Sequence, residues 1–263
     1  MPSSSVNRDK RPPMRGISSR QSEYPSPAQV VAAAKAVAYC LGSEQPHALV
    51  GGAACLVLGS SRVTVDVDLV VPKGKTKDAR QLLRSQPDYF TVEGRTNHTS
   101  YRSTPPVEIE ILTPPALFKE PFDEATETIQ VNGTRVLKPT LILNAKCRSI
   151  LGRANEEKKN TDAEDIKFLL NWCLRNASYP TNSEVPNTTK EFVDNFIAYY
   201  EGAELWHKAG YDMSRGMRSL SLPLSDLNLT VDRNLDAPLN EMDVFGPQER
   251  GLTSMMMEVT PQE

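Results

Sequence analysis

Apolar residues recur through residues 28–210 of this chain with a period that changes from segment to segment. Residues 28–42, AQVVAAAKAVAYCLG, follow an Ala-rich helical pattern, with Ser26 as N-cap, Pro27 in the first turn and Gly42 as the stop. A strand pattern at 47–50 runs into a short helix at 51–58 and a second strand at 64–71. Residues 76–85 read as a helix with Leu82 and Leu83 turned inward. Three further strands, 90–93, 99–103 and Val107–Leu112, are bracketed by turns at 94–97 and Pro105-Pro106. Asn132-Gly133 lies between Ile129-Gln130-Val131 and Thr134-Arg135-Val136, the sequence of a tight hairpin turn. From Pro139 the period becomes helical, and Leu141, Ile142, Ala145, Ser149 and Ile150 trace one face. A second helix at 161–174 buries Ile166, Leu169 and Leu170 and leaves Asp162, Glu164, Asp165 and Lys167 to solvent. A third covers 189–204. This order predicts an α/β (α+β) domain over 27–210: a small mixed sheet with a C-terminal helical cap from about 139.

The periodicity fails at both ends. Residues 1–26 are rich in Ser, Arg and Pro, with five Lys or Arg against Asp9 and Glu23, and are expected to form a disordered basic arm. Residues 211–263 are expected to be mostly irregular, with the alternation from Leu220 to Leu229 as a candidate docking strand or contact for a protein partner. A chain of 263 residues can bury one substantial core. Its 39% hydrophobic content and 20 prolines agree with unstructured flanks around that core. A net charge of −3 argues against electrostatic binding of nucleic acid by the chain as a whole. Cys40, Cys55, Cys147 and Cys173 show no CxxC pairing, and three of them sit in apolar helical patterns, which suits buried thiols in a reducing compartment. No signal-peptide core and no bilayer-length apolar run is visible. The expected location is the cytoplasm, with the nucleus as the alternative, and no membrane partner is expected.

Candidate chemistry concentrates in residues 49–71, LVGGAACLVLGSSRVTVDVDLVV. A strand end, Leu49 and Val50, meets Gly51-Gly52, and after Gly59-Ser60-Ser61 a second strand carries Asp66 and Asp68. Residues two apart on a strand share a face, so the two carboxylates lie side by side. They repel each other unless a cation neutralises them, and a hard divalent ion with bound phosphates is the usual partner. Alternation in Val107-Glu108-Ile109-Glu110-Ile111-Leu112 turns Glu108 and Glu110 to one face as well. His47, His98 and His207 have no metal-ligand spacing.

Val50-Gly51-Gly52 and Asp66-Val67-Asp68-Leu69, with residues 53–65 between them, resemble the signature of the nucleotidyltransferase superfamily, whose fold is polymerase-beta-like. The resemblance extends over about residues 28–172. It implies a third carboxylate on a later strand, and Glu110, which precedes two apolar residues, matches better than Glu108, although the family more often has Asp there. It further implies that Asp66, Asp68 and Glu110 are catalytic and hold Mg²⁺ or Mn²⁺. The substrate would be a nucleoside triphosphate, whose nucleoside monophosphate passes to a hydroxyl acceptor (a small molecule, RNA or protein) with release of pyrophosphate. Gly51 and Gly52 would let the backbone approach the triphosphate, and Ser60 or Ser61 would hydrogen-bond it. Arg62 either binds phosphate or balances Asp66 and Asp68. Residues 137–166 look like the helical part of bacterial AbiEii-type and related nucleotidyltransferases, which implies that Lys146 and Arg153, seven apart on one helix face, are phosphate-binding cations. A solvated basic face is the plainer alternative. Two other functions remain open at this point: a catalytically degenerate module that binds nucleotide or protein, and an Asp-x-Asp metal-dependent glycosyltransferase.

Overall fold

Ser26 begins the first helix, α1 (Pro27–Leu41), with a reciprocal cap: its hydroxyl accepts from the Gln29 amide, and Gln29 Oε1 accepts from the Ser26 amide. Val30, Ala33, Ala34, Val37 and Leu41 form its buried stripe. The small alanines let the helix lie close to the two helices that follow it and to the strands beneath it. The computed structural model describes residues 23–212 and the backbone of Gly216–Met217. The basic arm and the Leu220 to Leu229 stretch lie outside the described residues.

Strand β1 (Ala48–Val50) runs directly into α2 (Gly51–Val57), and β2 (Asp66–Val70) returns antiparallel to β1. Helix α3 (Thr76–Arg84) follows, then β3 (Phe90–Val92), β4 (Thr99–Tyr101), β5 (Val107–Leu112), β6 (Thr128–Val131) and β7 (Thr134–Leu137). They make one seven-stranded mixed sheet in the order β3-β4-β5-β2-β1-β7-β6. β5 lies parallel to β2, and β7 parallel to β1; the other pairs are antiparallel. One face of the central strands is apolar, with Val67, Leu69, Val107, Ile109 and Ile111 buried. The alternate positions on β2 and β5 are Asp66, Asp68, Glu108 and Glu110, the face left for chemistry. The β6–β7 turn has positive φ at both Asn132 and Gly133, the twist that suits a two-residue hairpin.

The helical half comprises α4 (Pro139–Leu151), α5 (Glu156–Arg175), α6 (Lys190–Tyr200) and α7 (Ala203–Lys208). α4 packs along α5, α5 reaches α2, and α6 and α7 pack on α5. A two-stranded ribbon, β8 (Tyr211–Asp212) and β9 (Gly216–Met217), follows α7. Buried Tyr211 stacks edge-on against fully buried Trp206, with ring centroids 6.0 Å apart. Among the described residues no helix is long and apolar enough to cross a membrane.

Three sequence expectations are corrected here. Leu82 is 37% exposed, because Ala79 and Leu83, four apart, form the buried edge of α3 and Leu82 stands on its rim. α5 starts at Glu156 rather than 161: Asn155 caps it through the Glu157 and Lys158 amides, and a first turn without apolar residues carries no periodicity to read. The single helix expected at 189–204 is broken at Glu201 and Gly202, both with positive φ, into α6 and α7.

Candidate active site

Gly51 opens α2 with φ +64°, a conformation that costs a residue with a side chain roughly 1–2 kcal/mol. A Cβ at this position would stand 1.9 Å from Asp68 Oδ2. Glycine therefore serves the turn and at the same time makes room for the carboxylate. At Gly52 a Cβ would come within 2.7 Å of Thr64 Oγ1 and 2.9 Å of the Arg62 guanidinium. The two glycines thus fit α2 against β2 and the loop before it. Ser60 shapes that loop by accepting from the Arg62 amide at 3.2 Å, and Ser61 is exposed.

The parallel register of β2 and β5 sets Asp66 beside Glu108 and Asp68 beside Glu110. Thr64 donates to Asp66 Oδ1 at 2.9 Å. The Asp68 carboxyl is pushed up to about 7, by burial first and then by the negative charges of Asp66 and Glu110. Among the described residues no three His, Cys, Asp or Glu side chains converge closely enough to hold a metal ion. The three acids share a face without closing on one point.

The nearby cations are committed elsewhere, and here the sequence expectation fails most. Asp162 and Asp165, expected at the solvent face of α5, are 2% and 1% exposed. Buried Lys146 donates to Asp162 Oδ1 at 2.8 Å and lies 2.7 Å from Asp165 Oδ2. Arg153 Nε donates to Asp162 Oδ2 at 2.8 Å, and Ser149 Oγ donates to the same oxygen at 3.1 Å. Arg62 pairs with Asp165, not with Asp66 or Asp68. Lys146 and Arg153 do not share a helix face as expected, because α4 ends at Leu151 and Arg153 lies in the turn before α5; buried Asp162 brings the two cations together instead, so they are not simply a solvated basic face. Burial works against the Lys146 ammonium, but Asp165 and Asp162 outweigh it and raise its pKa. Asp162 is held below the usual carboxylate range despite burial, chiefly by Lys146 and then Arg153. A signal for this cluster existed in the sequence: Asp162 and Asp165 fall on the stripe of Ile166, Leu169 and Cys173, which is buried.

One cavity of about 560 Å³ brings together Gly51, Asp68, Glu110, Lys146, Ser149 and Arg153, with Leu117, Phe118 and Glu120 on its far wall. Gly52, Ser60, Ser61, Arg62 and Asp66 stand outside that wall. Glu120 is fixed by Asn144 Nδ2 at 2.9 Å and Asn187 Nδ2 at 3.0 Å, tying the loop before β6 to α4. A larger cavity, about 780 Å³, lies between α1 and the β3–β4 strands but has no acidic residue in its lining, so it offers none of this chemistry.

No family model matches the chain, and no curated protein does. Solved structures do match. An antigenic nucleotidyltransferase-like protein from Paracoccidioides brasiliensis superposes with a TM-score of 0.53 at 23% identity, over 73% of this chain and 94% of that one. The fold is nucleotidyltransferase-like. JHP933 from Helicobacter pylori matches with a TM-score of 0.44 at 16% identity, over 71% of this chain and 88% of its own. At 23% identity the likeness is one of fold, and the chemistry has to be argued from the residues of this chain.

Proposed function

We propose that this protein is a divalent-cation-dependent nucleotidyltransferase that moves a nucleoside monophosphate from a triphosphate to a hydroxyl acceptor. The observation that carries the reading is the in-register pairing of Asp68 with Glu110 across parallel strands, both opening into the cavity that holds Lys146 and Arg153. The donor set suits a hard cation: oxygen ligands on one sheet face, with negative charge only partly compensated because Lys146 and Arg62 pair directly with Asp162 and Asp165. Asp66, Asp68 and Glu110 would hold Mg²⁺ or Mn²⁺. The bound ion would supply charge stabilisation for the attacking and leaving oxygens.

The remaining work falls to the chain itself. Lys146 gives donors to two aspartates and keeps a third N–H, which would contact a phosphate oxygen; the terminal nitrogens of Arg153 would do the same. Asp162 and Asp165 orient these cations, and Arg62 acts through Asp165 as a positioning residue. Glu110 would take the acceptor proton. A second reading, a degenerate nucleotide-binding module, is favoured by the incomplete convergence of the three acids.

Calorimetry with each nucleoside triphosphate and Mg²⁺, together with pyrophosphate release, separates the two. Asp66→Asn and Asp68→Asn are expected to abolish metal-dependent binding while the fold persists. Glu110→Gln is expected to lower turnover sharply and affinity little, and Glu108→Gln to change neither. Retained affinity in both aspartate variants would sink the assignment, and binding without pyrophosphate release in the wild type would favour the degenerate module.

A further inference from the structure

A second groove, of about 490 Å³, meets the candidate active site at Glu110; Leu112 and Leu117 also line both. It runs along the outer edge of β5. β4 pairs with β5 only at Val107 and Glu108, whereas β2 covers the opposite edge as far as Leu112. The register sets Thr99, the first residue of β4, opposite Ile109, and among the described residues the β4-side edge over residues 110–112 has no neighbouring strand. Such an edge, about 10 Å long at strand spacing, offers outward N–H and C=O groups to an incoming chain. Leu117, 67% exposed, stands between the groove and the active-site cavity as an apolar contact. On the α3 side the groove is lined by Arg80, whose Nε is buried without a hydrogen-bond partner. A guanidinium with an unmet N–H recognises a carboxylate.

We propose that this groove is the acceptor site, and that the acceptor is an extended polypeptide bearing a serine, threonine or tyrosine hydroxyl, paired to the β5 edge with an acidic side chain on Arg80. The inference rests on the nucleotidyl-transfer reading above and names its acceptor. Strand addition uses main-chain hydrogen bonds for affinity and side-chain contacts for selectivity, which is what this edge and Arg80 provide. Nucleic acid fits the groove poorly: Glu108 and Glu110 line it beside Arg80, and His98 lies 3.8 Å from Glu108, so it has no run of cations for a phosphate backbone. A small hydroxyl compound would leave the strand edge unpaired. In the transfer step the peptide hydroxyl oxygen bonds to the α-phosphorus as that phosphorus loses its bond to the oxygen leading to the β-phosphorus. Pyrophosphate departs with the electron pair, the hydroxyl proton passes to Glu110, and the peptide carries an O-linked nucleoside monophosphate.

The test uses the full chain, α-labelled nucleoside triphosphates with Mg²⁺, and synthetic peptides with alternating apolar residues around one hydroxyl residue. One peptide set carries a flanking Asp or Glu, a second carries Lys there, and a third is the acidic set with alternate backbone amides methylated. Labelling is expected in the acidic set and lost in the other two. Arg80→Gln is expected to raise the KM for the acidic peptides about tenfold or more, the worth of a charge-assisted hydrogen bond, with the nucleotide Kd unchanged. Nucleotide binding without transfer to any peptide overturns the peptide acceptor and leaves the nucleotidyltransferase reading standing, as does transfer to RNA or a small hydroxyl compound alone. Peptide labelling indifferent to both amide methylation and Arg80→Gln overturns the groove. Absence of metal-dependent nucleotide binding overturns both readings.

Discussion

Asp68 shows how one side chain can be costly to the fold and central to the candidate site. Its carboxyl ionises at about 7 in the folded chain against an ordinary 3.8. Between these values the folded state holds a proton that the unfolded state has shed, so the folded form binds more protons and stability falls as pH rises through the window. Asp68→Asn removes that penalty. Thermal melts in metal-free buffer are expected to find the variant more stable than wild type near pH ~8 and the gain gone near pH ~4. Wild type that is as stable as the variant at the higher pH would mean that the acid is not under charge pressure. The same carboxylate explains Gly51, because its Oδ2 fills the space a Cβ would need. The spacing of the glycines and aspartates was readable from the sequence, since Asp66 and Asp68 share a face by strand geometry alone. That Gly51 makes room for Asp68 was not, because it depends on how α2 lies against β2.

At the scale of elements, α5 is held to α4 by charges that burial makes expensive to separate. Asp162 is 2% exposed at its side chain and Lys146 9%, and Asp162 also receives Arg153 and Ser149. Breaking a buried pair by removing one partner strands the other charge, at a cost of about 3–5 kcal/mol. Asp162→Ala is expected to lose stability of that order in chemical denaturation, and Asp162→Asn less, because its amide oxygen still accepts from Lys146. The contrast is Lys190 with Asp194 on α6, both largely in solvent, where Lys190→Ala is expected to leave stability nearly unchanged because water screens the pair. A small effect at Asp162 would mean that water reaches the cluster. Helical period identified α4 and α5 as amphipathic. Charge alone points Asp162 and Asp165 to solvent, because acids are rarely buried without partners; both are buried because their partners sit on α4 and, for Arg62, before β2.

Across the whole molecule, the ribbon after α7 extends the described core beyond the last clear periodic segment, with Tyr211 packed on Trp206. Residues 1–26 and the far C-terminal stretch lack periodic apolar patterning. Limited proteolysis is therefore expected to leave a stable core that starts near residue 27 and ends beyond Met217, as read by mass spectrometry. Rapid cleavage within residues 47–172, or a core that ends before Tyr211, would show the domain to be drawn wrongly. The four cysteines are free, and burial raises Cys55 and Cys173 to about 12, so thiol reactivity is not expected to shape this core.

The sequence by itself determined the features that repeat or close within a few residues: the Ser26 cap and Gly42 stop of α1, the Asn132-Gly133 hairpin, the alternation that turns Asp66, Asp68, Glu108 and Glu110 to one face, and the nucleotidyltransferase-like fold they signal. These depend on local dihedral preference and on the 2.0 and 3.6 periods, which a linear chain displays. Only the tertiary structure decided which acid stands beside which, through the parallel register of β2 and β5, and which cations are already spent. Arg62 and Asp165 are 103 positions apart and meet because α2, which the Arg62 loop follows, packs against α5. Pairings at that separation are fixed by packing of the whole core, where burial makes an unpaired charge costly, and no local pattern encodes the choice.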